Sequence, residues 1–409
     1  MMYGVVLEGG GAKGAYQIGA IKALKELNVE IGGIAGTSVG ALNGAMIVQD
    51  DLDEAYKIWF NINPSALFNI KEEHYRELKN FEFNKNNIMY IINRIKHIMN
   101  NRGIDISLLK ELINEKINES KLRKSKMDFG IVTVSLSDFK SMELFIEDIP
   151  TGKVTEYLMA SAYLPVFKLE KLDGKLFLDG GLYDNLPINL LINRGYKDII
   201  AIRTLGMGRT RKISSDNAEI KYIIPGEDLG RALDFNKQVA RKNLKLGYFD
   251  AKRMLMNLKG KKYYILAENN ENMFMNLLQN LGKDRIIKAG IKMGLSPKLP
   301  YRRMLFEYIL PRLHSLMGTK NINTYEDISI YILEVLAEDI GVNRFKIYSY
   351  KEFLDEIRSM YSAHGRIKSE TNIPDFIKKN ELLSKAVKEK IILEIARELF
   401  ADFLNIFFE

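Results

Sequence analysis

Apolar positions follow two different rhythms along this chain. Val5-Val6-Leu7 is a short β-branched run, and Ile18, Ile21, Leu24 and Leu27 follow at helical spacing. A second short apolar run, 31–35, is interrupted by two glycines. The first fifty residues therefore read as strand, Gly-rich loop, helix, strand, turn, helix. Two strands joined by a helix form a βαβ unit, which predicts a parallel sheet and an α/β fold. Residues 51–125 are polar and rich in Asn and Lys, with scattered Ile, Leu, Met and Phe; they predict a helical, cap-like insertion. Strands return at 129–136 and 141–146. A helix over 151–161 stops before Pro165, a strand over 176–178 ends at Asp179-Gly180-Gly181, a short helix covers 188–193, and another strand covers 198–202.

The α/β pattern fades after Glu268, with loops expected at 206–215 and 297–300 and mostly helix over 270–409. Two domains are expected, 1–268 and 269–409. Near the end, Leu383, Val387, Ile391, Ile395, Leu399, Phe403 and Phe407 fall four apart, with Ile392, Ala396, Phe400 and Leu404 in the neighbouring column. That predicts an amphipathic helix docked on its own domain, since its polar face carries both signs of charge.

Composition narrows the chemistry. Of 409 residues, 46% are apolar and 27% charged, as in ordinary globular proteins. Cysteine is absent, which excludes disulfides, Cys-ligated metal and thiol catalysis. The four histidines, His74, His97, His314 and His364, form no H-x-x-x-H pair, so no metal site and no cofactor are expected. A net charge of +8 suits an anionic partner such as a membrane surface or nucleic acid, though a mild basic excess is usually solvated surface. No basic leader precedes the first apolar run, and the longest apolar candidate, 39–48, falls far short of the about 20 residues a transmembrane helix needs. The expectation is a cytoplasmic chain with no signal peptide and no transmembrane helix.

Three motifs carry chemistry. Gly9-Gly10-Gly11-Ala12-Lys13-Gly14 lies between a strand and a helix, where bare N–H groups bind negative charge. It fits G-x-G-x-x-G, but no acid stands at the end of the second strand to hold a ribose, and Gly14 is followed by Ala15-Tyr16 rather than a phosphate-loop Lys and Ser/Thr. Gly36-Thr37-Ser38-Val39-Gly40 is a G-x-S-x-G, which places a serine on a sharp strand-to-helix turn. Asp179-Gly180-Gly181 closes a strand with an acid that neighbouring backbone can approach. A serine needs a base, and a carboxylate kept dry rises in pKa toward a useful range. The glycine amides supply donors for a developing oxyanion.

These motifs resemble, in order as well as in letters, the patatin-like phospholipases. The likeness extends to Ala160-Ser161-Ala162-Tyr163-Leu164-Pro165 and to Asp184-Asn185-Leu186-Pro187, and covers roughly residues 1–265. It implies a three-layer α/β/α hydrolase with a mainly parallel central sheet, plus a mostly helical C-terminal region that it does not cover. It implies Ser38 as nucleophile, Asp179 as base, and Gly9, Gly10 and Gly11 as the oxyanion hole. Lys13, Gly14, Gly36, Gly40, Gly180 and Gly181 support them, with no metal. The reaction implied is hydrolysis of carboxylic esters of phospholipids or lysophospholipids through an acyl-enzyme, by a phospholipase A-type enzyme in peripheral contact with a membrane and without nucleic acid. Lys13 stands where many members carry Arg. Alternative readings are a Ser–His–Asp esterase using His314 or His364, a nucleotide-binding or regulatory module built on the Gly-rich loop, and a non-enzymatic interaction protein on a degenerate hydrolase fold.

Overall fold

A computed structural model describes residues 2–68, 104–317 (apart from 169, 173 and 216), 324–364 and 385–400. The middle of the expected 51–125 insertion, residues 69–103, therefore lies outside the described residues. Its described parts are helical: α3 (Leu52–Phe60), α4 (Ser107–Lys116) and α5 (Glu119–Lys124). The chain divides into two compact units, 1–255 and 256–409. The expected boundary at 268 falls inside the second unit. Tyr264 and Ile265 form strand β8, which pairs with β9 (Ile347–Tyr348), so this stretch folds with the C-terminal helices.

The first unit is built on one seven-stranded sheet. Its strands are β1 (Tyr3–Leu7), β2 (Ile31–Thr37), β3 (Asp128–Ser135), β4 (Lys140–Phe145), β5 (Phe177–Asp179), β6 (Asp198–Ile202) and β7 (Glu219–Ile223). The order is β4-β3-β2-β1-β6-β7, parallel from β3 through β7, with β4 and β5 antiparallel to β3. Val5, Val6, Leu7, Ile34, Ile131 and Ile199 through Ile202 are buried, because helices cover both faces of these strands. Val6, Ala35, Val132, Ile199 and Ala201 pack against α7 (Ile188–Arg194). On the opposite face, α2 (Val39–Val48) lies on β1, β2 and β3, and α6 (Val154–Ser161) lies on β3 and β5. The expected three-layer α/β/α arrangement with a mainly parallel sheet is therefore present.

Two elements of the first unit were not expected. β7 is short and half-exposed, and α8 (Lys237–Met256) is polar enough to hide its apolar stripe; α8 packs on α1 (Gly14–Glu26), where Gly19 and Gly247 let the two backbones touch.

A buried polar chain ties α1, α2 and α3 together beneath the carboxyl edge of the sheet. Trp59 Nε1 donates to Asn43 Oδ1 at 2.9 Å, and Asn43 Nδ2 donates to Gln17 Oε1 at 2.9 Å and to the Gly14 carbonyl at 3.0 Å. Gln17 Nε2 in turn donates to the Glu8 carbonyl at 2.6 Å. Each member is satisfied, so the chain holds helix register without an unpaired buried group.

The second unit is helical, as expected. Its core gathers Phe274, Ile286, Met304, Leu333, Phe353 and Ile395 among others. The final described helix, Lys385–Leu399, buries Ile391, Ile392, Ile395, Ala396 and Leu399 in that core, and Phe400 follows them. The apolar columns read in the sequence are thus covered by their own unit; Leu383, Phe403, Leu404 and Phe407 lie outside the described residues.

Asn43→Ala strands Trp59 Nε1 and Gln17 at once. We expect a loss of about 2–4 kcal/mol in denaturant unfolding, more than a surface substitution costs.

Candidate active site

Ser38 leaves β2 at its carboxyl end, and α2 starts at the next residue. Its backbone sits at φ 57, ψ −126, a conformation that costs a non-glycine residue on the order of 1–3 kcal/mol. The flanking glycines make the turn sterically feasible. A Cβ on Gly36 would lie 2.3 Å from the Gly40 carbonyl oxygen, and one on Gly40 would lie 2.2 Å from that of Leu7. Gly14 opens α1 against Val39 and Trp59.

Strand pairing delivers Asp179 to the same place. At residues 133–135 of β3, one side is occupied by β4, so β5 must take the other side. That side belongs to β2 as far as Val132, which pairs with Thr37. Asp179 pairs with Thr133, and β5 ends where β2 ends. This brings the Ser38 hydroxyl near the Asp179 carboxyl group, where it favours the charged form. The contact is loose: Oδ2 is buried without a bond of good geometry, whereas Oδ1 accepts from the Gly181 N–H at 2.7 Å. Gly180 lies against the Val132 carbonyl, where a Cβ would come within 2.2 Å. Burial pushes the Asp179 carboxyl up to about 6, against the opposing pull of the Ser38 hydroxyl and the Gly181 N–H.

The 160–165 block pins both residues. Ser161 Oγ accepts the Ser38 N–H at 3.0 Å and donates to the Val132 carbonyl at 2.6 Å. Two residues on, the Tyr163 carbonyl accepts the Asp179 N–H at 2.8 Å. The 184–187 block works similarly. The Thr37 hydroxyl donates to the Asp184 carbonyl at 2.8 Å, and Asp184 is itself a buried acid pushed up to about 6 by desolvation.

The Gly-rich loop corrects one expectation. The Gly9 N–H donates to the Asn185 carbonyl at 2.9 Å, so it is not available as an oxyanion donor. The Gly9 carbonyl is held as well, by Thr204 Oγ1 at 2.7 Å and Asn185 Nδ2 at 3.2 Å. The N–H groups of Gly10 and Gly11 have no acceptor among the described residues. Gly11 has φ +56 and packs on the Ala232 carbonyl, which also accepts the Ala12 N–H at 2.7 Å. Lys13 Nζ donates to the Leu205 carbonyl at 3.4 Å. The loop is anchored from below by Glu8, a buried carboxylate that sequence reading passed over. It takes a two-pronged ion pair from Arg203 at 2.9 and 3.0 Å, plus the N–H groups of Thr204 and Leu205 at 2.7 and 2.9 Å.

Ser38 and Gly11 share the wall of a cavity of about 920 Å³, counted with its open mouth. The rest of that wall is almost wholly apolar, including Leu42, Trp59, Phe68, Phe167 and Phe235. Phe235 stacks on Trp59 and meets Phe68 edge-on. No histidine lines the cavity among the described residues, and His314 and His364 belong to the second unit.

Comparison with known proteins fits this geometry. Residues 5–192, just under half of the chain, match the family model described as patatin-like phospholipase. A patatin-like phospholipase domain-containing protein of Caenorhabditis elegans, ZK370.4, is 27% identical over 210 residues, which is 48% of this chain and 13% of that protein. The lysophospholipase nte1 of Aspergillus terreus is 55% identical over 47 residues, 12% of this chain and 3% of its own length. The chain thus spans a small part of these curated relatives. Among solved structures, VipD from Legionella pneumophila aligns with a TM-score of 0.39 at 14% identity, covering 100% of this chain and 92% of that one. Ser38, Asp179 and the Gly-rich loop all fall within the residues matched by the family model. No helix among the described residues is long and apolar enough to cross a membrane.

The buried carboxylate has a thermodynamic signature. The folded protein binds the Asp179 proton more tightly than the unfolded chain, with a pKa of about 6 against 3.8, so stability falls as pH rises from about 4 to 6. Asp179→Asn escapes this loss. In urea unfolding the variant should exceed the wild type by up to about 3 kcal/mol above pH 6, and the advantage should vanish below pH 4. A wild type that stays the more stable at pH 8 would contradict the burial penalty.

Proposed function

We propose that the patatin-like domain is a lipid acyl hydrolase, a phospholipase A or lysophospholipase working through a Ser38–Asp179 dyad. Asp179 accepts the Ser38 proton as Oγ attacks the ester carbonyl. The N–H groups of Gly10 and Gly11 bind the oxyanion, a role worth about 2.7–4 kcal/mol for a well-placed donor. The alcohol or lysolipid leaves with the proton, and water, deprotonated by Asp179, releases the acyl group from Ser38. The observation that carries this reading is a strained serine in the wall of an apolar cavity, with a buried acid of elevated pKa close to it. An acyl chain in that cavity gains about 0.8 kcal/mol for each CH₂ group buried.

A Ser–His–Asp enzyme is disfavoured because Asp179 faces the serine directly. A nucleotide site is disfavoured because the two open amides belong to a loop bordering an apolar cavity, with Lys13 directed to a backbone carbonyl. Phospholipid or lysophospholipid is the proposed substrate, met in peripheral contact with a membrane.

Ser38→Ala and Asp179→Asn should each lower kcat/KM on a phospholipid or a soluble ester by about three orders of magnitude or more, with the fold retained by circular dichroism. In the wild type, kcat/KM should climb with pH around a midpoint near 6, because only charged Asp179 accepts the proton. Turnover retained in either variant, or a profile flat from pH 5 to 8, would reject the dyad.

A further inference from the structure

The carboxyl edge of the sheet carries exposed apolar side chains that nothing in the first unit's packing requires. Leu205 is 50% exposed, Met207 39% and Ile224 51%. All three follow the carboxyl ends of β6 and β7, the edge on which Ser38 emerges from β2 and the Gly-rich loop from β1. The connection to the cavity is short. Gly11 lines it, and Lys13, two residues on, reaches the Leu205 carbonyl.

Leu205 is held at φ +50. A bulky side chain is an outlier in that conformation, which Asn or Gly adopts readily. Its backbone is fixed there by the N–H bond to Glu8 and the carbonyl bond from Lys13. The turn thus holds a leucine at a conformational cost and leaves half of it in solvent.

The surroundings are basic. Arg209 and Lys212, on the same 203–212 loop, are exposed and have no acidic partner among the described residues. The acids next to this loop are buried or engaged: Glu8 is buried on Arg203, Glu143 pairs with Arg211, and Asp184 is buried beside the Arg211 N–H. Apolar tips flanked by unpaired cations fit an anionic bilayer, where the tips enter the acyl boundary and the cations meet the headgroups. A protein partner would fit the apolar tips equally well. The uniform sign of the free charges, and the link through Lys13 to the loop whose Gly11 lines an apolar cavity, favour lipid.

We propose that the 203–212 loop, with Leu205 and Met207 as its inserting tips and Arg209 and Lys212 as its headgroup contacts, docks the domain on anionic membrane so that the Ser38 cavity meets the lipid surface. This rests on the lipid hydrolase reading for its purpose, but its test does not. The full chain is sedimented with vesicles of phosphatidylcholine alone and of phosphatidylcholine mixed with phosphatidylglycerol. Wild type should favour the anionic vesicles. Arg209→Gln with Lys212→Gln should weaken that binding about 25-fold, about fivefold for each cation. Leu205→Asn should weaken it about tenfold, while its melting temperature stays equal or rises because Asn relieves the backbone.

All variants should hydrolyse a soluble short-chain ester as the wild type does. Variants that bind anionic vesicles like the wild type, or a wild type that ignores vesicle composition, overturn the proposal and point to a protein as occupant. Failure of the wild type to cleave the soluble ester, with vesicle binding intact, would count against the hydrolase reading and leave the docking surface standing.

Discussion

The proposed dyad requires Asp179 to be buried and still reach Ser38, and much of the first unit is consistent with that requirement. Desolvation raises its pKa to about 6, so at neutral pH the fold carries a charged group it would be more stable without. The carboxylate is held by a single well-formed bond, from Gly181, and otherwise looks toward the serine hydroxyl. Further neutralising partners would stabilise the fold and weaken the base. The strain at Ser38 is a second cost at the same spot, and both are supported by parts that are individually ordinary. A strand pairing places Asp179, a serine hydroxyl on α6 fixes the Ser38 amide, and a tyrosine carbonyl fixes the Asp179 amide.

The same logic explains the Gly-rich loop. Of its first three amides, one is tied to Asn185 and two are open, which sets the loop's orientation as well as its donors. Glu8 and Arg203 clamp β1 to β6 directly below, and Thr204 grips the Gly9 carbonyl. The loop is therefore preorganised by groups from three distant stretches of chain, around 185, 204 and 232. Preorganised donors cost no rearrangement when charge develops on a reacting oxygen.

Much of this edge was legible in sequence, because its chemistry depends on local rules. A serine on a strand-to-helix turn needs glycines on both sides, and those letters are visible in Gly36 and Gly40. Short apolar runs alternating with helical spacing disclosed β1, α1, β2 and β6. What stayed hidden depends on contacts between distant residues of unremarkable type. Nothing near Gly9 says that its N–H will meet the Asn185 carbonyl, and nothing near Ser161 says that its hydroxyl will hold the Ser38 amide. Glu8 directly follows the apolar run of β1, yet it is a buried anchor because Arg203 arrives from β6. β7 and α8 were missed for another reason: Ile220 and Tyr222 alternate over too short a stretch, and the apolar face of α8 is diluted by lysines and arginines. The terminal helix was readable because its column of apolar residues, four apart, persists for several turns.

The most direct measurement of the central claim is the rate at which a fluorophosphonate probe labels the full chain across pH, with the modified residue mapped by mass spectrometry. The account predicts a single adduct on Ser38, forming faster as pH rises through about 6 and forming slowly at every pH in Asp179→Asn. An adduct on another serine, or labelling of Ser38 that is indifferent to both pH and the loss of the Asp179 carboxylate, would contradict it.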